Sequence, residues 1–224
     1  MGLKQKIINS PFYDWFGKRS FSQAGEDIIA STELRRGRGY YVDIGAYHPK
    51  LFSNTYFFYK RGWRGLVVEP NPEMVRLYKE IRKKDVALGI GVGGKDGAED
   101  YYMFKDSAAN TFDPGAAERN KQSGRKMIGK KPVAILRLSK ILDEYLPKGQ
   151  RVDLLSVDTE GMDEEVLRSN DWKKYRPRVV ICEDLQYFWE KPLKSGVAVL
   201  MGGLGYRLVG MTPYSLVFKD EDEK

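Results

Sequence analysis

Tyr40-Tyr41-Val42-Asp43-Ile44-Gly45-Ala46-Tyr47-His48-Pro49 is an apolar β run that breaks at two small residues, with an acid two positions before the break. A strand running into a tight turn of small residues lets backbone come close to a ligand. Gly65-Leu-Val-Val-Glu-Pro70 is a second apolar run ending in an acid, and Glu69 follows Gly45 by 24 residues. A carboxylate at the end of a second parallel strand is placed to take the two hydroxyls of a ribose. The pair predicts a nucleoside-containing cofactor on a doubly wound sheet.

The 224 residues, 42% hydrophobic, suit one α/β domain. The 38 Lys+Arg against 31 Asp+Glu leave a net charge of +7. That excess suits anionic partners in general, but no dense basic block with interleaved aromatics points to nucleic acid. The single Cys182 excludes an intrachain disulfide and a cysteine-based zinc site, and it fits a reducing, cytoplasmic compartment. Within an apolar strand, Cys182 is expected to be buried and inert. No run approaches the ~20 apolar residues of a membrane span. The N-terminus lacks the apolar core of a signal peptide, and Lys6 stands where a myristoylation pattern needs Ser or Thr. Residues 1–20 form a basic, aromatic segment. It suits either weak contact with an anionic membrane surface or a helix packed on the domain, and Pro11 favours the helix.

Residues 21–220 read as one domain. Ser22-Gln-Ala-Gly-Glu-Asp27 opens a helix, with Ser22 as N-cap and Glu26 and Asp27 in the first turn. A helix is expected over 50–61 and another over Glu73–Lys83, followed by a strand over Asp85–Val92 and a short one over Glu99–Phe104. Residues 105–131 are polar and poor in apolar side chains, which predicts a mobile lid or insertion. A strand over Val133–Leu138 leads to a helix capped by Ser139. Val152–Val157 and Arg178–Cys182 are further strands, each ending in acids, with helices over Met162–Ser169 and around 190–204. Tyr206–Gly210 and Ser215–Lys219 close the chain as an antiparallel hairpin on an otherwise parallel sheet.

This order of elements resembles the class I S-adenosylmethionine-dependent methyltransferase fold, and within it the FkbM family. The resemblance is carried by Ser22-Gln-Ala-Gly-Glu-Asp27, Val42-Asp-Ile-Gly-Ala46, Ser53-Asn-Thr55, Gly62-Trp63, Val68-Glu-Pro70 and Asp153-Leu-Leu-Ser-Val-Asp-Thr-Glu-Gly161. It spans residues 20–220, with Tyr47 standing where many class I methyltransferases carry a glycine. It implies a Rossmann-like, mostly parallel seven-stranded sheet with helices on both faces. It assigns Asp43, Gly45 and Ala46 to the methionine end of S-adenosylmethionine, and Glu69, with Pro70 beside it, to the ribose. Gly91 falls near the adenine, and Gln23, Glu26 and Asn54 line the cofactor or acceptor pocket.

An alcohol acceptor is a poor nucleophile at neutral pH and benefits from a base or a metal. Asp158, Glu160 and His48 are the candidate bases, with Asp158 favoured, because Glu160 also suits a helix start and His48 precedes a proline. Asp158, Glu183 and Asp184 end neighbouring strands, and three oxygen ligands with waters would suit Mg2+. The competing structural reading pairs Glu183 with an arginine and uses Asp184 to cap a turn. The expected activity is O-methylation of a sugar, glycan or natural-product hydroxyl, with the acceptor pocket built by residues 105–131 and the N-terminal segment. A nicotinamide oxidoreductase is the alternative enzyme, disfavoured because no G-x-G-x-x-G follows the first strand. A non-catalytic binding module on the same fold is the third reading. Ribose methylation of RNA stays open, whereas base N-methylation is disfavoured because Thr159-Glu160 follows the acid at 158. Oligomeric state is not set by any of these residues.

Overall fold

The computed structural model describes residues 19–34, 37–184 and 191–222. The N-terminal segment up to residue 18 lies outside the described residues. β1 (Tyr40–Ile44), β2 (Arg64–Val68), β3 (Val86–Leu88), β7 (Leu154–Val157) and β8 (Val179–Glu183) are parallel, and β9 (Tyr206–Met211) and β10 (Ser215–Asp220) form the closing hairpin. The seven strands run in the order β3-β2-β1-β7-β8-β10-β9. All five residues of β1 are buried, as an apolar run must be when both faces of a sheet are covered.

Alternate side chains of β1 feed two cores. Tyr40, Val42 and Ile44 pack with α5 (Leu138–Tyr145), α6 (Asp163–Arg168) and α7 (Gly196–Gly203). Tyr41 packs on the other face with α1 (Glu26–Glu33), α2 (Tyr56–Tyr59) and α3 (Pro72–Ile81).

Several boundaries differ from the sequence expectation, for local reasons. The helix expected over 50–61 is confined to Tyr56–Tyr59, because Nδ1 of His48 accepts from Lys50 N (3.1 Å) and Leu51 N (3.0 Å) and folds the preceding residues into a turn. The N-cap position of α1 is Gly25 at φ 97°, not Ser22, whose hydroxyl accepts from Gly25 N (3.1 Å) and Asp27 N (3.3 Å). Ser139 is not a cap either, since Ser169 Oγ accepts from Leu138 N (3.0 Å) at the start of α5. The run Asp85–Val92 divides into β3 and β4 (Gly91–Val92), and β4 leaves the main sheet.

The polar stretch 105–131 is structured. It holds a 3₁₀ turn at Ser107–Ala109, α4 (Pro114–Gln122) and the start of β6 (Met127–Leu136). With β5 (Gly97–Phe104) these make a second sheet in the order β4-β6-β5. Asp113 caps α4 by accepting from Gly115 N (2.8 Å) and Ala116 N (2.9 Å), and Pro114 starts the helix. No helix among the described residues is long and apolar enough to cross a membrane.

The C-cap residue of α3, Arg82, is a completely buried cation. Arg82 is 0% exposed, and its Nε donates to Asp85 Oδ2 at 2.7 Å. Its Nη1 donates to Ser53 Oγ (3.3 Å) and its Nη2 to Thr55 Oγ1 (3.0 Å), while Thr55 in turn donates to Asp43. Its guanidinium lies 4.9 to 5.2 Å from the ring centroids of Tyr41, Tyr59 and Tyr78. Removing one partner of such a pair strands the other charge without water. Arg82→Met is therefore expected to lower the unfolding free energy by about 3–5 kcal/mol in urea titration. A loss below about 1 kcal/mol would mean that the buried carboxylates do not need the arginine.

Candidate functional site

β1 lies between β2 and β7, so the chain leaves it in opposite directions and a crevice opens beyond the strand ends. The crevice is a cleft of about 870 Å³, counting its open mouth. Its floor is Ile44, Gly45, Val68, Glu69, Pro70 and Asp158, and residues of the second sheet overhang it.

Gly45 stands at φ 71°, and a Cβ there would lie 1.7 Å from the carbonyl oxygen of Asp158. Only glycine lets the ends of β1 and β7 come this close. The N–H groups of Gly45 (3.0 Å) and Ala46 (3.3 Å) both reach Val68 O and draw the turn toward β2. Tyr47 then adopts φ 45°, the left-handed conformation otherwise favoured by glycine, and its N–H donates to Glu69 Oε2 at 2.8 Å. Asn71 N donates to Glu69 Oε1 at 2.7 Å. Both carboxyl oxygens are held, and each keeps a lone pair for a further donor. Burial pushes the Glu69 carboxyl up to about 7, against the pull of the Asn71 and Tyr47 amides.

Across the cleft, burial raises the Asp158 carboxyl well above the carboxylate range, and the charges of Asp163, Glu160, Asp43 and Glu26 add to this. Glu160 lines the same wall at φ 54°, its carboxyl raised by burial and by Asp163. Gln23, Gly45, Glu69, Pro70, Gly91, Asp158 and Glu160 are thus brought to one cleft.

The other expected residues do not line it. Asp43 is 3% exposed and sits beneath the floor, accepting from Thr55 within reach of the Arg82 charge. Ala46 is buried, and its carbonyl accepts from Tyr78 OH at 2.9 Å. Asn54 braces the floor by donating to Ser156 Oγ at 3.1 Å. Glu26 is buried against the closing hairpin, accepting from Thr212 Oγ1 (2.6 Å) and Ala24 N (2.9 Å). His48 is not among the cleft-lining residues, and its Nδ1 accepts from the 50–51 turn.

The metal expectation is not met by the carboxylates. Val157 pairs with Cys182, so Asp158 and Glu183 are neighbours at the strand ends. Yet among the described residues no three His, Cys, Asp or Glu side chains converge to hold a metal ion. Burial and the Asp158 charge push Glu183 strongly upward, and Glu183 Oε2 is buried with no hydrogen-bond partner among the described residues. The arginine partner considered for Glu183 is likewise missing from the ion pairs of the described residues. Cys182 is fully buried and its thiol is raised by burial, as expected of an inert cysteine.

Sequence reasoning missed the overhang and one clamp. Tyr101, Asn110, Thr111 and Phe112 line the cleft, with the Tyr101 and Phe112 rings 4.7 Å apart. Tyr101 is 4% exposed, and burial and the charge of Glu69 raise its phenol. The aromatic-rich run Tyr101–Phe104 marks a strand, but nothing marks which sheet it joins. The clamp is Asp163, whose Oδ1 accepts from Thr159 N (2.8 Å) and Thr159 Oγ1 (3.1 Å) and whose Oδ2 accepts from Gly161 N (3.1 Å). An acid four residues after a Thr and two after a Gly was the available signal.

The methyltransferase FkbM domain matches residues 43–208, which contain both the Gly45 turn and the Asp158 loop. The chain belongs to the FkbM methyltransferase family. Among solved structures, it is similar to a precorrin-6Y C5,15-methyltransferase from Geobacter metallireducens GS-15, with 13% identity, a TM-score of 0.42 and 87% of each chain covered. It is also similar to a TehB-like SAM-dependent methyltransferase from Corynebacterium glutamicum ATCC 13032 Kitasato, with 13% identity, a TM-score of 0.41 and coverage of 97% of this chain and 96% of the other. No curated protein matches the sequence. FkbM domains belong to the S-adenosylmethionine-dependent methyltransferases, and two features of this cleft fit that cofactor: the backbone cradle at Gly45 and the doubly held carboxyl of Glu69.

If Glu69 takes the ribose, as the family resemblance implies, its protonated form has one acceptor site fewer for the hydroxyls, and burial pushes that carboxyl up to about 7. Adenosine does not itself titrate near neutrality, so its affinity is expected to rise between pH 6 and pH 8 and to become flat in Glu69→Gln. Calorimetry across that range checks the sign, and a wild-type affinity independent of pH would contradict it.

Proposed function

We propose that the chain is an S-adenosylmethionine-dependent O-methyltransferase acting on a hydroxyl of a sugar, glycan or natural-product acceptor. The observation that carries the reading is Asp158, a carboxyl on the cleft wall opposite Glu69 whose proton affinity is raised by burial and by neighbouring acids. A strengthened carboxylate base is what an alcohol needs in order to act as a nucleophile.

S-adenosylmethionine, when bound, supplies a methyl carbon on a positive sulfur that departs as a neutral thioether with the C–S electron pair. Glu69 holds the nucleoside by accepting from the ribose, its own geometry set by Tyr47 and Asn71. Gly45, Gln23 and Gly91 give close backbone and polar contact along the same cleft. Asp158 accepts the proton of the acceptor hydroxyl as its oxygen forms the new O–C bond. Phe52, Tyr101 and Phe112 supply aromatic walls that exclude water and suit the apolar face of a sugar ring. No step is routed through Mg2+, because the carboxylates considered for it do not form a ligand set.

The nicotinamide reading gives way to membership of a methyltransferase family. The binding-module reading differs in one measurable respect, since it requires cofactor affinity without turnover on any hydroxyl acceptor.

Turnover with labelled methyl donor and a panel of hydroxylated acceptors tests the division of roles. Asp158→Asn is expected to lower kcat by about 10²–10⁴-fold and to change S-adenosylhomocysteine affinity little. Glu69→Ala is expected to do the reverse. Because the Asp158 carboxyl is raised, the ascending limb of the wild-type pH–rate profile should lie well above the ordinary carboxylate range. A limb near pH 4–5, or equal losses of affinity in both variants, would refute the assignment.

A further inference from the structure

The loop after β7 is held in an unfavourable shape. Glu160 has φ 54° and Gly161 φ 103°, so two successive residues are left-handed. For a residue with a Cβ this region is disfavoured, and it persists only where surrounding contacts enforce it. Here the enforcing contacts converge on one side chain. Asp163 is 5% exposed, and its two carboxyl oxygens accept from three donors on either side of Glu160. Thr159 N and Oγ1 fill Oδ1, and Gly161 N fills Oδ2. The backbone N–H groups flanking Glu160 are thereby consumed internally, while Asp158, Thr159 and Glu160 line the cleft.

We propose that Asp163 is a positioning residue of the methyl-transfer site: its carboxylate locks the Asp158–Gly161 loop so that Asp158 and Glu160 stand on the acceptor side of the cleft. The proposal rests on the reading of Asp158 as the proton acceptor, and it adds a residue that touches neither ligand. It separates two halves of the cleft. The cofactor half is built on Glu69, Tyr47 and Gly45, and it makes no hydrogen bond to Asp163 among the described residues. The acceptor half depends on the clamp.

The chemistry of the clamp specifies the informative substitution. An asparagine at 163 keeps one oxygen for Thr159 but turns an N–H toward Gly161 N–H, so the second half of the clamp fails. Asp163→Asn is expected to lower kcat at least tenfold, while S-adenosylhomocysteine affinity stays within about threefold of wild type. In the same variant the Gly161 amide should lose its protection from hydrogen exchange. Should Asp163→Asn fold poorly, Glu160→Gly/Asp163→Asn keeps the question open to measurement, because a glycine at 160 adopts the left-handed conformation without strain. The Tm lost through Asp163→Asn should then be larger in the Glu160→Gly background than in wild type, because relief of the left-handed strain at Glu160 no longer offsets part of the loss. Unchanged protection at Gly161, or a smaller loss of Tm in the Glu160→Gly background, would overturn the clamp. If kcat and cofactor affinity fell together, the separation into halves would be wrong. Exchange and Tm need no acceptor, so a failure of the O-methylation reading leaves these readouts intact and distinguishable.

Discussion

A guanidinium sealed from water holds the cleft floor in place. Arg82 joins α3 to the segment after β1 through Ser53 and Thr55, and it pairs with Asp85 ahead of β3. Asp85 in turn accepts from Tyr41 OH (2.6 Å) and Gly65 N (3.1 Å), so β1 and β2 are tied to the same cluster. A pair this deep stabilises little compared with an apolar replacement of equal shape. Its effect is one of register, because the hydrogen bonds of the cluster tie α3, β1, β2 and the segment after β1 to one another. Asp43 is held through Thr55 at the edge of this cluster, directly below the cleft.

That placement changes what the first acid does. An acid two residues before the Gly45 turn reads naturally as a ligand contact, yet here it is a foundation. The contact facing the cleft passes instead to Gly45 and Tyr47, whose left-handed backbone aims an N–H at Glu69. The two sides of the cleft then follow different physics. At Glu69 a carboxyl is held by two amides, and at Asp158 carboxyls crowd one another and gain proton affinity. Such opposed environments let chemically similar groups serve in binding and in proton transfer.

What could be read from the chain alone follows the range of the forces involved. The strands of the main sheet announce themselves, because each is a short apolar run ending in an acid or a turn residue. The closing hairpin was equally legible from its alternation. Glu69, Gly45 and Asp158 could be placed because a strand end carries its neighbours to a known edge. The second sheet was not legible. Residues 105–131 are polar because Met127–Lys131 and α4 expose most of their side chains, so their composition resembles that of a loop. Arg82 was hidden for the opposite reason, since a cation at the C-cap of an amphipathic helix normally faces water. Its burial depends on Asp85, Ser53 and Thr55 arriving together, which no local pattern encodes. The turn that His48 closes was not legible, because a lone histidine that faces a ligand and one that closes a turn look alike in one dimension.

The central claim is that Glu69 and the Gly45 turn hold the ribose and methionine ends of a methyl donor, while Asp158 faces the hydroxyl that receives the methyl. A structure of the protein with S-adenosylhomocysteine tests it most directly. The account predicts ribose hydroxyls within hydrogen-bond distance of Glu69, with the homocysteine sulfur turned toward Asp158. A nucleoside bound elsewhere, or a sulfur directed away from Asp158, would contradict it.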